Sequence, residues 1–430
     1  MIESWGRYPK VKHTAVQTPA WLSDVQIDAT RSNLPLGLAR SYGDSCLNEN
    51  GALICTRHLN HFVEFNKERG TIRCEAGVTL ADVLELVVPH GYFLPVTPGT
   101  KFVTIGGAIA NDVHGKNHHA AGTFGCHVLQ FEVLRSDNTR MLCSPTENAD
   151  MFRATIGGLG LTGVILWAEF TLLKIPSAYI LQENIRFNNV RDYLVHSREN
   201  DKRFTYVVSW IDCTSTGNYL GRGVFTGGNF TESDKPAVTT GAGIPFPVDA
   251  PSFVLNKLTI KTFNVLYYNK QYKEHSQAVV HYNPFFYPLD AIHNWNKGYG
   301  KNGFFQYQLV IPFEGASDAL QEILKQTSRF GKASFVTVLK NFGAMRSPGM
   351  MSFPKEGVTL ALDFRNDGTE TLRFMDSLDS IVRTANGRLY PAKDARMKGE
   401  DFRTWYPQWQ EFSNYIDPHF SSSFWRRVMA

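Results

Sequence analysis

The chain has 430 residues, 43% of them hydrophobic and 20% charged, with 44 basic against 40 acidic side chains and a formal net charge of +4. At roughly 100–200 residues per domain this length implies two or three domains, and the composition supports a full core and excludes an overall disordered chain. Near-balanced charge without a block of like sign argues against a nucleic-acid partner, and no apolar run reaches the ~18 residues of a membrane span.

Six cysteines (Cys46, Cys55, Cys74, Cys126, Cys143, Cys213) lie in the first half without a CxxC pair or a metal-ligand spacing, which reads as free thiols in a reducing, cytoplasmic setting. The N-terminus MIESWGRYPK has no apolar signal core. The first glycine-rich segment is Gly37-Leu38-Ala39-Arg40-Ser41-Tyr42-Gly43-Asp44. A strand is expected at Thr71–Cys74, then a helix opened by a capping box, with Thr79 as cap and Asp82 three residues on. Leu80, Val83, Leu84, Val87 and Val88 form its apolar stripe, Pro89 and Gly91 end it, and a strand at Phe93–Val96 follows.

Two more segments rich in small residues come next. Pro98-Gly99-Thr100 runs through Thr104, Gly106, Gly107, Ala110 and Asn111 to His114-Gly115-Lys116-Asn117-His118-His119. Small residues let backbone N–H groups approach an anion closely, yet neither the GxGxxG nor the GxxxxGK[ST] spacing is present. His114 and His118 are four apart, but Gly115 and Asn117 disfavour a helix there and the HExxH glutamate is missing, so no metal is expected. The third segment, Ile156–Ile165, holds Gly157, Gly158, Gly160 and Gly163, with Val164 entering a strand.

The second half alternates strands and helices. Phe304–Ile311 reads as a strand whose period of two puts Gln306 and Gln308 on one face and Phe305, Tyr307, Leu309 and Ile311 on the other. Ser334–Lys340 and Val358–Phe364 are further strands, with Val336, Val338 and Lys340 sharing a face; helices are expected at Ala316–Ser328 and Glu370–Thr384. The Gly, Pro, Ser and Thr content from about 226 to 252 reads as a long loop, and the whole of 226–275 as a mobile one, either a lid or a surface connector.

Together, in this order, the three glycine-punctuated segments resemble the FAD-binding domain of the vanillyl-alcohol-oxidase (PCMH-type) flavoenzymes. LARSYGD, HGKNHH, FQYQLVIP, VLKNFG and RLYPAKDAR narrow the resemblance to the decaprenylphosphoryl-β-D-ribose 2′-oxidase branch over essentially the whole chain. The resemblance implies a two-domain α+β fold. Residues 1–176 and 390–430 would bind FAD, and 177–389 would form a sheet-and-helix substrate domain covering it. It implies oxidation of the 2′-hydroxyl of a polyprenyl-phosphoryl ribose, with a separate NAD(P)H-dependent reductase completing epimerisation to arabinose; a small-sugar alditol or aldonolactone oxidase using O₂ is the alternative. Peripheral contact with the inner membrane goes with such a substrate.

Residue by residue, the resemblance assigns FAD contacts to Gly37 through Gly43; to Pro98, Gly99, Thr100, Thr104, Gly106, Gly107, Ala110, Asn111, His114, Gly115 and Asn117; and to Gly158, Gly163 and Val164. Lys393 matches the lysine at the flavin edge, where a cation favours the anionic reduced ring. His114 matches a histidine beside the flavin able to accept the hydroxyl proton, with Lys116 a second candidate. Gln306, Gln308, Lys340, Tyr42, Tyr390 and Trp210 match substrate-side positions. Arg40 stands where covalently flavinylated members carry histidine, so non-covalent FAD is expected. Leu36, Ala39, Cys126, Thr359 and Ala361 depart from the branch's pattern.

Overall fold

The computed structural model describes residues 2–235, 243–246, 248–251, 256–332 and 336–430. It is an α+β fold. Three parallel strands, Ala15–Gln17, Ala52–Cys55 and Asn33–Leu36, form one small sheet. A five-stranded antiparallel sheet follows in the order Phe62–Asn66, Thr71–Glu75, Val164–Thr171, Val128–Leu134, Arg140–Cys143. The helix Leu80–Val87 packs its expected stripe into the core beneath this sheet. Its capping box is complete: Asp82 N donates to Thr79 Oγ1 at 3.1 Å, and Thr79 N donates to Asp82 Oδ2 at 2.9 Å. The strand after it covers only Tyr92–Phe93, not Phe93–Val96.

An eight-stranded antiparallel sheet dominates the rest. Its order is His275–His281, Tyr179–Phe187, Gly223–Thr231, Tyr206–Ile211, Val338–Phe342, Gly357–Arg365, Phe304–Ile311, Arg388–Leu389. The helices Val190–Arg203, Phe313–Phe330 and Thr369–Thr384 back one face, where Phe305, Tyr307, Leu309 and Ile311 meet Leu320, Leu324, Met375 and Val382. Period-two alternation turns Gln306 and Gln308 to the other face, which faces the cleft described below. The strand expected at Ser334–Lys340 is shifted to Val338–Phe342, and 333–335 fall outside the described residues.

The expected loop over 226–275 is largely corrected. Strand Gly223–Thr231 takes its first part, because Gly227 and Gly228 are packing positions and not turn residues. A Cβ at Gly227 would meet the Phe204 ring at 2.4 Å, and one at Gly228 would meet Ile180 at 2.6 Å. Ile244–Pro245 pairs in parallel with Ile292–His293. Lys257–Lys270 is a helix capped by Asn256; it buries only Ile260, Asn264 and Tyr268, too thin a stripe to show as an apolar period. Residues 236–242, 247 and 252–255 of this stretch lie outside the described residues.

The last forty residues return to the start of the chain. Asn33 N donates to His419 O at 2.8 Å, and the helix Ser423–Met429 lies against Asp44–Cys46. All six cysteines are free. Among the described residues no helix is long and apolar enough to cross a membrane, and no cluster of three or more His, Cys, Asp or Glu side chains is placed to hold a metal.

Candidate active site

A cleft of about 930 Å³ runs from the glycine-rich loops to the open face of the large sheet. That is the upper end of the ~300–1,000 Å³ usual for ligand pockets. At its loop end, the backbone amides of Leu38, Ala39, Arg40 and Ser41 have no acceptor among the described residues. Ala39 has φ +51°, the left-handed conformation that lets successive N–H groups converge on an anion. Gly37 allows this loop to touch the opposite one: a Cβ there would lie 2.3 Å from Thr104 Oγ1. Thr104 Oγ1 in turn accepts from Gly107 N at 3.1 Å and caps Ile105–Ala110. Arg40 Nε donates to Phe102 O at 3.1 Å, and its guanidinium lies 4.1 Å from the Trp5 ring centre. Four successive amides around a left-handed residue, beside the half-buried Arg40, fit a dinucleotide pyrophosphate.

At the sheet end, His114 is buried with both ring nitrogens engaged. Its Nδ1 lies 2.9 Å from Lys340 Nζ, which also donates to Gly115 O at 2.8 Å. Its Nε2 lies 3.1 Å from the side-chain amide of Gln308, which stands 3.3 Å from Thr359 Oγ1. Phe342 packs on the imidazole edge-on at 4.8 Å. Tyr390 donates its hydroxyl to Asn111 O at 2.8 Å and stacks on Phe353 at 4.5 Å. Lys393 Nζ sits 3.6 Å from the Tyr42 ring centre. Gln306 Nε2 donates to Asp363 Oδ1 at 2.8 Å, and the Tyr299 hydroxyl donates to Asp363 Oδ2 at 3.2 Å.

Burial shapes the charges of this end. It pushes Lys340 down to about 7, with Lys116 and Lys393 adding repulsion. It pushes Lys393 down to about 7 as well, against the attraction of Asp363. Lys116, with its Nζ 5.5 Å from the Phe285 ring, is pushed down to about 8. His114 is held well below the usual imidazole range by burial and then by Lys340, so it is neutral. The Asp363 carboxyl is pushed up to about 7 by burial.

The cleft brings together Lys393, His114, Lys116, Tyr42, Gln306, Gln308, Lys340, Tyr390 and Trp210, with Trp210 4.6 Å from Tyr267 at the mouth. Of the residues matched to the cofactor, four do not line it. Gly43 is pressed on the Asp394 carbonyl and Gly158 on that of Ala154. Asn117 Nδ2 donates to Pro95 O at 2.7 Å, and Val164 belongs to an apolar cluster with Leu134 and Phe420. These four shape the loops from behind. His118 accepts from Gly343 N through Nδ1 at 3.2 Å, and His119 Nε2 lies 2.9 Å from Phe204 O; both pack around the loop. Trp5 and Asp363 were not singled out from sequence. Asp363 shares the parity of Thr359 and Ala361 on its strand, which was the available signal; Trp5 had none.

Residues 27–144 match the family model for an FAD binding domain. Over 415 residues, 93% of this chain and 89% of the relative, the sequence is 34% identical to decaprenylphosphoryl-β-D-ribose oxidase of Mycolicibacterium smegmatis. The chain belongs to the family of that oxidase. It is thus an FAD-dependent oxidoreductase. An uncharacterised protein of Streptomyces coelicolor is 30% identical over 82% of this chain and all of its own length. L-Gulonolactone oxidase of Mus musculus matches more narrowly, 31% identical over 31% of this chain and 29% of its own.

Proposed function

We propose that this chain oxidises the 2′-hydroxyl of a polyprenyl-phosphoryl-β-D-ribose to the 2-keto sugar. When bound, FAD supplies the two-electron oxidation; the protein contributes binding, orientation and charge. Residues 1–176 and 390–430 form the FAD-binding part, with the amides of residues 38–41 on the pyrophosphate, and 177–389 form the substrate part. FAD is held without a covalent bond. Arg40 offers no ring nitrogen for one, and Cys126 Sγ is turned to Thr123 and Arg346 outside the cleft.

The observation that carries the reading is that Lys116, Lys340 and Lys393 line the same cleft as Gln306 and Gln308. A lysine-rich lining suits a substrate that bears phosphate, and the two amides suit its hydroxyls. Lys393 favours negative charge on the reduced ring. Phe263 and Tyr267 line the cleft mouth, and Leu258 and Leu266 are exposed on the same helix; these suit a prenyl chain and contact with a membrane surface. The keto product calls for a separate NAD(P)H-dependent reductase to complete an epimerisation.

The test is anaerobic mixing of the holoprotein with a short-chain polyprenyl-phosphoryl-β-D-ribose, followed at the flavin absorbance. Rapid bleaching by this compound, with none by xylitol or gulonolactone, is expected. Bleaching by the free sugars alone would replace the lipid-linked reading with a small-sugar oxidase. Acid precipitation should leave all the yellow colour in the supernatant; colour in the pellet would refute non-covalent binding.

A further inference from the structure

With Lys340 as the donor to His114, the contacts around the imidazole admit one assignment that leaves no two donors facing each other. A neutral imidazole carries one N–H and one lone pair. Lys340 Nζ donates to Gly115 O at 2.8 Å and faces His114 Nδ1 at 2.9 Å, so Nδ1 holds the lone pair and Nε2 the proton. The Nε2–H then requires an acceptor in Gln308, which the side-chain amide supplies when it is turned so that its oxygen takes the place of its Nε2, 3.1 Å from His114 Nε2. In that orientation the same oxygen also accepts the Thr359 hydroxyl, whose Oγ1 lies 3.3 Å from this amide position. His114 is left with no nitrogen to offer a substrate. Lys340 has two of its three non-carbon positions committed, and the third is open to the cleft.

We propose that Lys340 is the catalytic base of this oxidation and that His114 is the positioning residue that aims it. The proposal rests on the sugar-oxidase reading above. The substrate hydroxyl loses its O–H proton to the lone pair of Lys340 Nζ, forming an N–H bond. The C–H bond on the same carbon breaks, its electron pair reduces the bound flavin, and the carbon–oxygen bond becomes a carbonyl. The resulting ammonium has three acceptors: Gly115 O, His114 Nδ1 and the new carbonyl oxygen.

The other amines of the cleft are less suited. Lys393 packs on Tyr42 at 3.6 Å and is drawn toward its charged form by Asp363, which suits a fixed cation. Lys116 rests over Phe285 at 5.5 Å, and no hydrogen-bond acceptor among the described residues aims it. The groups facing Lys340 are His114, Lys116 and His118 from the loop 114–118, Lys393 from the C-terminal segment, and Thr359 from the adjacent strand. All the charged ones repel a proton, which keeps the amine available as a base near neutral pH.

Two measurements test this. In the first, Lys340→Ala holoprotein, shown by its absorbance to retain flavin, is reduced anaerobically with the short-chain polyprenyl-phosphoryl ribose. A general base is worth ~10²–10⁴-fold. The expected result is a loss of at least about 100-fold, disappearance of the rise in rate as pH passes about 7, and recovery on adding ethylamine. Near-normal bleaching with an unchanged pH profile overturns the assignment and leaves the substrate reading standing; an unreactive wild type fails the substrate reading instead. The second measurement needs no substrate: ¹⁵N NMR of histidine-labelled protein, with His114 assigned from its absence in His114→Gln. The expected form is neutral with the proton on Nε2, its Nδ1 shift titrating with Lys340 and ceasing to do so in Lys340→Ala. A proton on Nδ1 overturns the proposal.

Discussion

At the residue scale, the cleft amines carry a stability cost that function explains. The unfolded chain keeps a lysine proton up to its ordinary value of 10.5, whereas folded Lys340 and Lys393 keep theirs only up to about 7. Between those limits the unfolded state binds more protons, so stability rises with pH from about 7 upward. Asp363 acts in the opposite direction lower down. Its carboxyl is raised from 3.8 to about 7, so its contribution falls as pH climbs through that window. Flavin-free protein should therefore unfold at increasing denaturant concentration from pH 7 to 9. Lys393→Met should be more stable than wild type at pH 7, equal to it near pH 10, and nearly inert in flavin reduction. Denaturant titrations at the three pH values check this, and a destabilised Lys393→Met at pH 7 would show that Lys393 is instead held by a favourable ion pair. His114, Lys340, Gln308 and Thr359 were each visible in sequence, but their network was not. Its members are separated by up to 245 positions, and only the sheet register brings them into hydrogen-bond range.

At the scale of elements, the legible parts were those whose signal is local. The capping box at Thr79 and Asp82, and the alternation along Phe304–Ile311, fix which side chains are buried within a few residues. The helix Lys257–Lys270 escaped because a polar Asn264 sits in the middle of its buried stripe, where it donates to Asp212 at 3.0 Å. Strand Gly223–Thr231 escaped because its glycines answer to Phe204 and Ile180, residues that a linear reading does not bring near. The contact between the two cofactor loops is of the same kind. Gly37→Ala should force its methyl onto Thr104 Oγ1 and free the amide of Gly107 from its cap. Losing such a cap costs ~1 kcal/mol, small for a chain of this size, whereas the four amides of residues 38–41 would lose their convergence. The expected outcome is a folded protein, with far-ultraviolet circular dichroism unchanged, that binds FAD at least ten-fold more weakly by equilibrium titration. Unchanged affinity would mean that the loop contact is irrelevant to the cofactor.

At the scale of the whole molecule, the C-terminal helix decides whether the cofactor loops and the lysine segment stay in register. Arg427 donates to both oxygens of Asp44, at 2.8 and 2.9 Å, and to Asp394 Oδ2 at 2.8 Å, as well as to the Met397 carbonyl. Asp44 follows the amide loop directly and Asp394 follows Lys393, so one guanidinium joins the opposite ends of the chain at the cleft. Both carboxylates are buried, 3% and 7% exposed, and they repel one another without the arginine. Removing one partner of a buried pair costs ~3–5 kcal/mol, because the remaining charge keeps its desolvation penalty. Arg427→Ala should lose stability of about that size and release FAD more readily than its stability loss alone requires, since Lys393 and the loop 38–41 are then free to separate. Lowering the pH should recover part of the deficit as Asp44, already raised by burial, takes up a proton. Arg427→Lys, which keeps the charge but cannot span two carboxylates with a planar fork, should fall between. Chemical denaturation and FAD titration at pH 5.5 and 7.5 separate these effects. If Arg427→Ala lost stability equally at both pH values while holding flavin normally, the helix would be a packing element only, and coupling between chain end and cofactor would have to run through the apolar contacts of Phe402 and Phe424.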